Sequence, residues 1–178
     1  MGTLESGTEA TPPEPPAPGR HLHLETDASV NQARTRGGVH GQRTFLAGAG
    51  IVLRSEAMHP LVVESISLGY VESATHAEGL ALRLGIRRAR RMGASSLRVR
   101  SDCAPFVSVL NGRSEFEDPS LALLAEELRR ELGGLREFQI LWTRSFHARS
   151  RGDGVPAADH LAREAAGLSA RTPFRGRR

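Results

Sequence analysis

At Ser73 the hydrophobic repeat of this chain changes from two residues to the three-and-four spacing of a helix, and that change splits the sequence into two kinds of structure. Before it lie three β-like runs. His21–Asp27 places Leu22 and Leu24 on one face and Glu25 and Asp27 on the other. Phe45–Arg54 and Leu61–Leu68 follow, joined by a short turn around Met58, His59 and Pro60, which is an antiparallel meander signal. The Gly- and Arg-rich stretch from Ser29 to Thr44 reads as a polar loop. After Ser73, the positions of Ala77, Leu80, Ala81 and Leu84 predict an amphipathic helix over Ala74–Met92, stopped by Gly93. A short strand at Ser96–Ser101 leads into a helix that begins at Asp102 and ends near Asn111-Gly112. Asp118-Pro119 then reads as cap and first position of a helix running to about Leu132. Arg136–Thr143 is a fifth strand. After the polar loop Arg144–Gly154, a last helix starts at Pro156, with Ala158, Leu161, Ala162 and Ala165 in register. The order β-β-β-α-β-α-α-β-α predicts an α/β fold. A three-strand antiparallel meander is followed by parallel strands in one mixed five-stranded sheet flanked by helices.

A chain of 178 residues suits one domain, expected over 21–170. Residues 1–20 hold five of the ten prolines and no aromatic residue, the composition of a disordered leader, and residues 171–178 (RTPFRGRR) form an Arg-rich tail. The leader lacks a basic start and an apolar stretch, and no later run is long enough to span a membrane. With one cysteine, Cys103, no disulfide framework can form within the chain, and a cytoplasmic protein is the default expectation. All 24 basic residues are arginine, yet four of them sit in the tail, so overall basicity says little about a nucleic-acid partner.

Four acids stand at the ends of predicted strands or the starts of predicted helices: Asp27, Glu78, Asp102 and Asp159. Gathered by a fold they would repel one another, and gathering them makes physical sense around hard cations such as Mg²⁺, which prefer oxygen ligands. Each also has an ordinary reading. Asp102 suits a helix cap, Glu78 and Asp159 suit helix N-termini, and Asp27 suits a turn.

In order and position, T-D-A-S at 26–29, G-A-G-I-V-L at 48–53, A-E-G-L-A-L at 77–82, S-D-C at 101–103 and A-D-H-L-A at 158–162 resemble the type 1 ribonuclease H family of the retroviral-integrase-like superfamily. The likeness spans about Leu22 to Leu168. It implies a metal-dependent endonuclease that hydrolyses the RNA strand of RNA–DNA hybrids, using two Mg²⁺ ions with Mn²⁺ as an alternative. Asp27 would bridge the ions, Glu78 and Asp102 would complete the water side, and Asp159 the other side. His147, in the loop before the last acid, matches a family histidine that moves a proton or helps release product; a solvated loop histidine is the other reading. The partner would be the hybrid itself, bound by a monomer. Ala28 stands where the family commonly has Gly, Val155 where it often has Asn, and the loop from Trp142 to Asp159 is longer than usual.

Two other functions compete with this one. A non-catalytic nucleic-acid-binding module of the same fold would be expected to lack at least one acid, and none is missing. A 3′–5′ exonuclease would show Asp-x-Glu on its first strand, where this chain has Glu25-x-Asp27. Arg83, Arg87, Arg90 and Arg91 form a stripe on the long helix that reads either as a solvent face or as phosphate contacts. Arg144, Arg149 and Arg151 lie in the loop nearer the acids. Phe138 and Trp142, at alternate strand positions, read as core.

Overall fold

The computed structural model describes residues 19–37, 43–144 and 154–168. Five strands and four helices follow one another as β1 (Arg20–Gly37), β2 (Arg43–Ser55), β3 (Pro60–Val71), α1 (Ala74–Arg91), β4 (Ala94–Ser101), α2 (Ala104–Leu110), α3 (Pro119–Gly133), β5 (Glu137–Trp142) and α4 (Ala158–Ala165). The strands form one sheet in the order β3-β2-β1-β4-β5. β1 is its centre, antiparallel to β2 and parallel to β4. The mixed sheet expected from the sequence is the one observed.

The alternation along β1 sorts its side chains between two layers. Leu22 and Leu24 join Ile51, Leu53, Leu97 and Val99 in a core closed by Leu82 and Ile86 of α1, Phe106 of α2 and Leu128 and Leu132 of α3. Helix α1 forms where the pattern places it, for legible reasons. Ser73 caps it by accepting from His76 N at 3.0 Å, and Gly93, at φ +79°, turns the chain out of it. The cap expected at Asp118 is also present, its Oδ1 accepting from Ser120 N at 2.8 Å and Leu121 N at 3.1 Å.

The arginine stripe of α1 is largely occupied by ion pairs. Arg83 pairs with Glu127 of α3, while Arg87 and Arg90 share Glu131. Arg88 meets Glu64 of β3. These half-exposed pairs contribute about 0–1 kcal/mol each. Their effect is to lay α1 along α3 in one register, so the stripe is an inter-helix face.

Four expectations need correction. The stretch Ser29–Thr44 is not a loop throughout, because β1 continues to Gly37 and β2 starts at Arg43, with a bulge between Asn31 and Thr35. Polar residues are tolerated there because positions 32–37 are all exposed, and the end of a sheet that no helix covers has no apolar face to fill. Asp27 therefore lies within β1 rather than at its end. Asp102 does not cap α2: the cap position is Cys103, and Asp102 precedes it. Phe138 and Trp142 are not core, at 41% and 54% exposed, because β5 is a sheet edge whose periphery the helices do not cover.

On the opposite layer α4 lies directly on β2. A Cβ at Gly50 would stand 1.9 Å from the carbonyl oxygen of Ala158, and one at Gly48 would stand 2.4 Å from Ala166 N. Helix backbone and strand backbone thus touch with no side chain between them. Gly50→Ala is expected to lower the melting temperature by roughly 6–12 °C, from overpacking of about 3 kcal/mol against backbone that cannot rotate away. Gly37→Ala, whose added Cβ meets nothing, should leave it unchanged in the same thermal-melt comparison.

Candidate metal centre

Three of the four acids converge. Asp27 from β1, Glu78 from α1 and Asp102 just after β4 each offer a carboxylate oxygen, and these atoms lie within 4.8 Å of one another. The convergence follows from local structure. β1 and β4 are adjacent and parallel, in register from His21↔Ser96 to Glu25↔Arg100, so Asp27 within β1 lies beside Asp102 at the end where β4 stops. Helix α1 packs across β1 and brings its second turn, with Glu78, against that end. Asp159 stands outside the trio, in the first turn of α4. Its charge still reaches both Asp27 and Glu78 and raises their proton affinity. His147 lies outside the described residues, as do Arg149 and Arg151.

Burial and mutual repulsion dominate the electrostatics. Asp27 is 5% exposed, and desolvation, followed by the charges of Asp102 and Asp159, pushes its pKa up to about 8. Glu78 is pushed well above the usual carboxylate range by burial and by Asp27 and Asp102, although Ala28 on β1 offers it a backbone hydrogen bond. One Glu78 oxygen is buried without a hydrogen-bond partner. Arg100 of β4 donates to Glu25 at 3.3 Å and to Thr143 at 3.4 Å. Crowded carboxylates whose proton affinity burial and mutual repulsion raise, with an unsatisfied Glu78 oxygen among them, fit a hard divalent cation. Cys103 beside them is a buried thiol pushed up to about 12 by the same causes, desolvation first, so it offers no thiolate ligand near neutral pH.

Two supporting residues escaped the sequence reading. Trp142 donates from Nε1 to the backbone carbonyl of Asp102 at 3.2 Å, fixing the chain where that acid leaves the strand. Its place at the end of β5, parallel to β4, was readable, but its bond to backbone was not. Gly50 sets the height of α4 and hence of Asp159, and a glycine inside a strand run is a readable sign of close backbone approach.

The raised carboxyls have a consequence for stability. Between the ordinary aspartate value near 3.8 and about 8, the folded protein holds a proton on Asp27 that the unfolded chain has released. Stability of the metal-free protein therefore falls as pH rises through that window, by up to about 1.4 kcal/mol per pH unit from this group. Asp27→Asn should flatten the decline in melting temperature from pH 5 to pH 8. Mg²⁺ should raise the melting temperature of the parent at pH 8 and leave that of the variant nearly unmoved.

A family described as reverse transcriptase-like matches residues 34–165. The matched stretch includes Glu78, Asp102 and Asp159, and Asp27 lies just before it. No curated protein matches the chain by sequence. Among solved structures, ribonuclease H1 of the halophilic archaeon Halobacterium salinarum superposes with a TM-score of 0.67 at 22% identity, over 83% of this chain and 98% of that one. The N-terminal ribonuclease H domain of a Mycobacterium tuberculosis protein gives 0.64 at 23% identity, over 82% and 98%. LC11 ribonuclease H1, solved in complex with an RNA/DNA hybrid, gives 0.62 at 19% identity, over 82% and 96%. With its sheet order, its helices and a family match over most of its length, this chain belongs to the reverse transcriptase-like, ribonuclease H-like family.

Proposed function

We propose that the chain is a metal-dependent endonuclease that cuts the RNA strand of RNA–DNA hybrids. The observation that carries this reading is the set of carboxylates from Asp27, Glu78 and Asp102 within 4.8 Å. So dense a group of acids around a buried Asp27 opposes folding, and a cation-dependent reaction is the use that fits its chemistry. The complex of LC11 ribonuclease H1 with an RNA/DNA hybrid supports the choice of substrate.

The chain's own residues would act as follows. Asp27, Glu78 and Asp102 would hold divalent ions, Mg²⁺ or Mn²⁺, with Asp159 approaching from α4. Bound there, such ions polarise the phosphodiester and lower the pKa of water. Asp27, central and most buried, would be shared between ions. Trp142 would keep the Asp102 backbone in place through its Nε1 bond. Cation binding would also free Asp27 and Glu78 of the protons that burial favours, leaving both ionised near neutral pH. His147 is proposed as the group that moves a proton or assists product release.

Purified protein incubated in Mg²⁺ or Mn²⁺ with labelled hybrid, double-stranded RNA and single-stranded RNA tests the reading. Internal cuts in the RNA of the hybrid, leaving 3′-hydroxyl ends, are expected. Asp102→Asn should lower the rate by about 100-fold or more, the loss of several kcal/mol of charge stabilisation. Cutting that is unchanged in Asp102→Asn, or confined to RNA ends, refutes the assignment. The latter result would favour an exonuclease of the same architecture.

A further inference from the structure

Beyond Asp27 and its partner Gly50, β1 and β2 continue as an arm, flanked by β3 as far as Phe45↔Val71 and two-stranded only at its tip. Its base is fixed: Asn31, buried, donates from Nδ2 to the carbonyl of Ala166 at 3.1 Å, anchoring β1 to the end of α4. Outside that anchor, positions 32–37 are all exposed. From Ala28 to Ser55 the sequence has no acidic residue, while Arg34 and Arg36 stand on the outgoing strand. Both have defined positions. The guanidinium of Arg36 stacks on Tyr70 of β3, 4.6 Å from the ring centroid, which leaves its N–H donors at the rim of the stack. Arg34 lies beside Gly167, at the C-terminal end of α4. Neither meets a carboxylate among the described residues. Arg43 on the returning strand differs, since it lines a cavity with Glu72 and Asp118.

The geometry points to a phosphate-binding arm: we infer that Arg34 and Arg36 grip the backbone of a nucleic-acid duplex on one flank of the acid cluster. The inference rests on the proposed reading of that cluster as a site for a phosphodiester. Phe45 pairs with Thr35 and Gly50 with Asp27, so five residues of β2 separate the arm's arginines from the acids. At about 3.4 Å per residue the offset is about 17 Å. Over that length a duplex presents on the order of ten phosphate charges. The acid cluster repels a polyanion, so attraction has to come from a cationic surface displaced from it, and Arg83, Arg87 and Arg90 of α1 are engaged by Glu127 and Glu131. The arm supplies that attraction along the substrate, and only to a duplex long enough to reach it.

The test compares the full chain carrying Asp102→Asn, to prevent cutting, with the same chain also carrying R34Q/R36Q or R34K/R36K. Binding of RNA–DNA hybrids is followed by fluorescence anisotropy across a salt series. One hybrid has about 24 base pairs; the other has about 8, so that at about 3.4 Å per pair it extends roughly 13 Å either side of the cluster. On the long hybrid, R34Q/R36Q should weaken binding about tenfold and reduce the slope of log Kd against log salt by between about 1 and 2. The short hybrid should respond less than twofold, and the lysine pair should keep the parental slope. Equal affinity and slope for R34Q/R36Q on the long hybrid, or equal losses at both lengths, overturn the arm. A chain without Asp102→Asn whose long-duplex binding depends on the arm, yet which leaves RNA uncut, would overturn hydrolysis and keep the arm. Cutting with arm-independent binding would do the reverse.

Discussion

Everything at the candidate centre depends on hydrophobic packing that forces like charges together. Asp27, Glu78 and Asp102 would separate if their supports were free, since water stabilises each carboxylate better apart than crowded. They are not free. Asp27 and Asp102 extend from adjacent strands whose Leu22, Leu24, Leu97 and Val99 are fully or almost fully buried, and Glu78 rides on a helix locked by Leu82 and Ile86. Burying one such side chain contributes about 1.5–3 kcal/mol, so the six together outweigh the strain of the acids. Charge strain stored by an apolar framework is a usual arrangement where a site must bind a cation and release it.

Basic groups elsewhere tie elements of the fold together. Arg100, near the cluster, is directed to Glu25 and Thr143. Arg83, Arg87 and Arg90 of α1 are turned towards α3, and Arg88 towards β3.

The strand and helix order was legible because the two hydrophobic periods are clean: alternation at Leu22 and Leu24, helical spacing at Ala77, Leu80, Ala81 and Leu84. The cap at Asp118 was local chemistry and showed in the sequence as such. The outer half of β1 was not legible, because Gln32 to Gly37 carries no apolar alternation and its strand character comes only from pairing with β2. Phe138 and Trp142 misled for a related reason. Alternation identifies a strand's faces but does not say whether a neighbour covers them, and β5 is an edge. Of the four acids, three offer oxygens within 4.8 Å of one another, while the position of Asp159 relative to them is a tertiary matter that no local pattern carries.

That last position is governed by the contact between Gly50 and Ala158. In most helix–sheet packings, interleaved side chains act as spacers, and exchanging one for a larger or smaller neighbour tunes the gap by fractions of an ångström. Here main chain rests on main chain, so no such shim exists. The depth of the final acid is set by the strand itself. Sequence drift elsewhere on α4 can alter how firmly the helix is held, but it has little means of lifting Asp159 away from, or driving it towards, the other three.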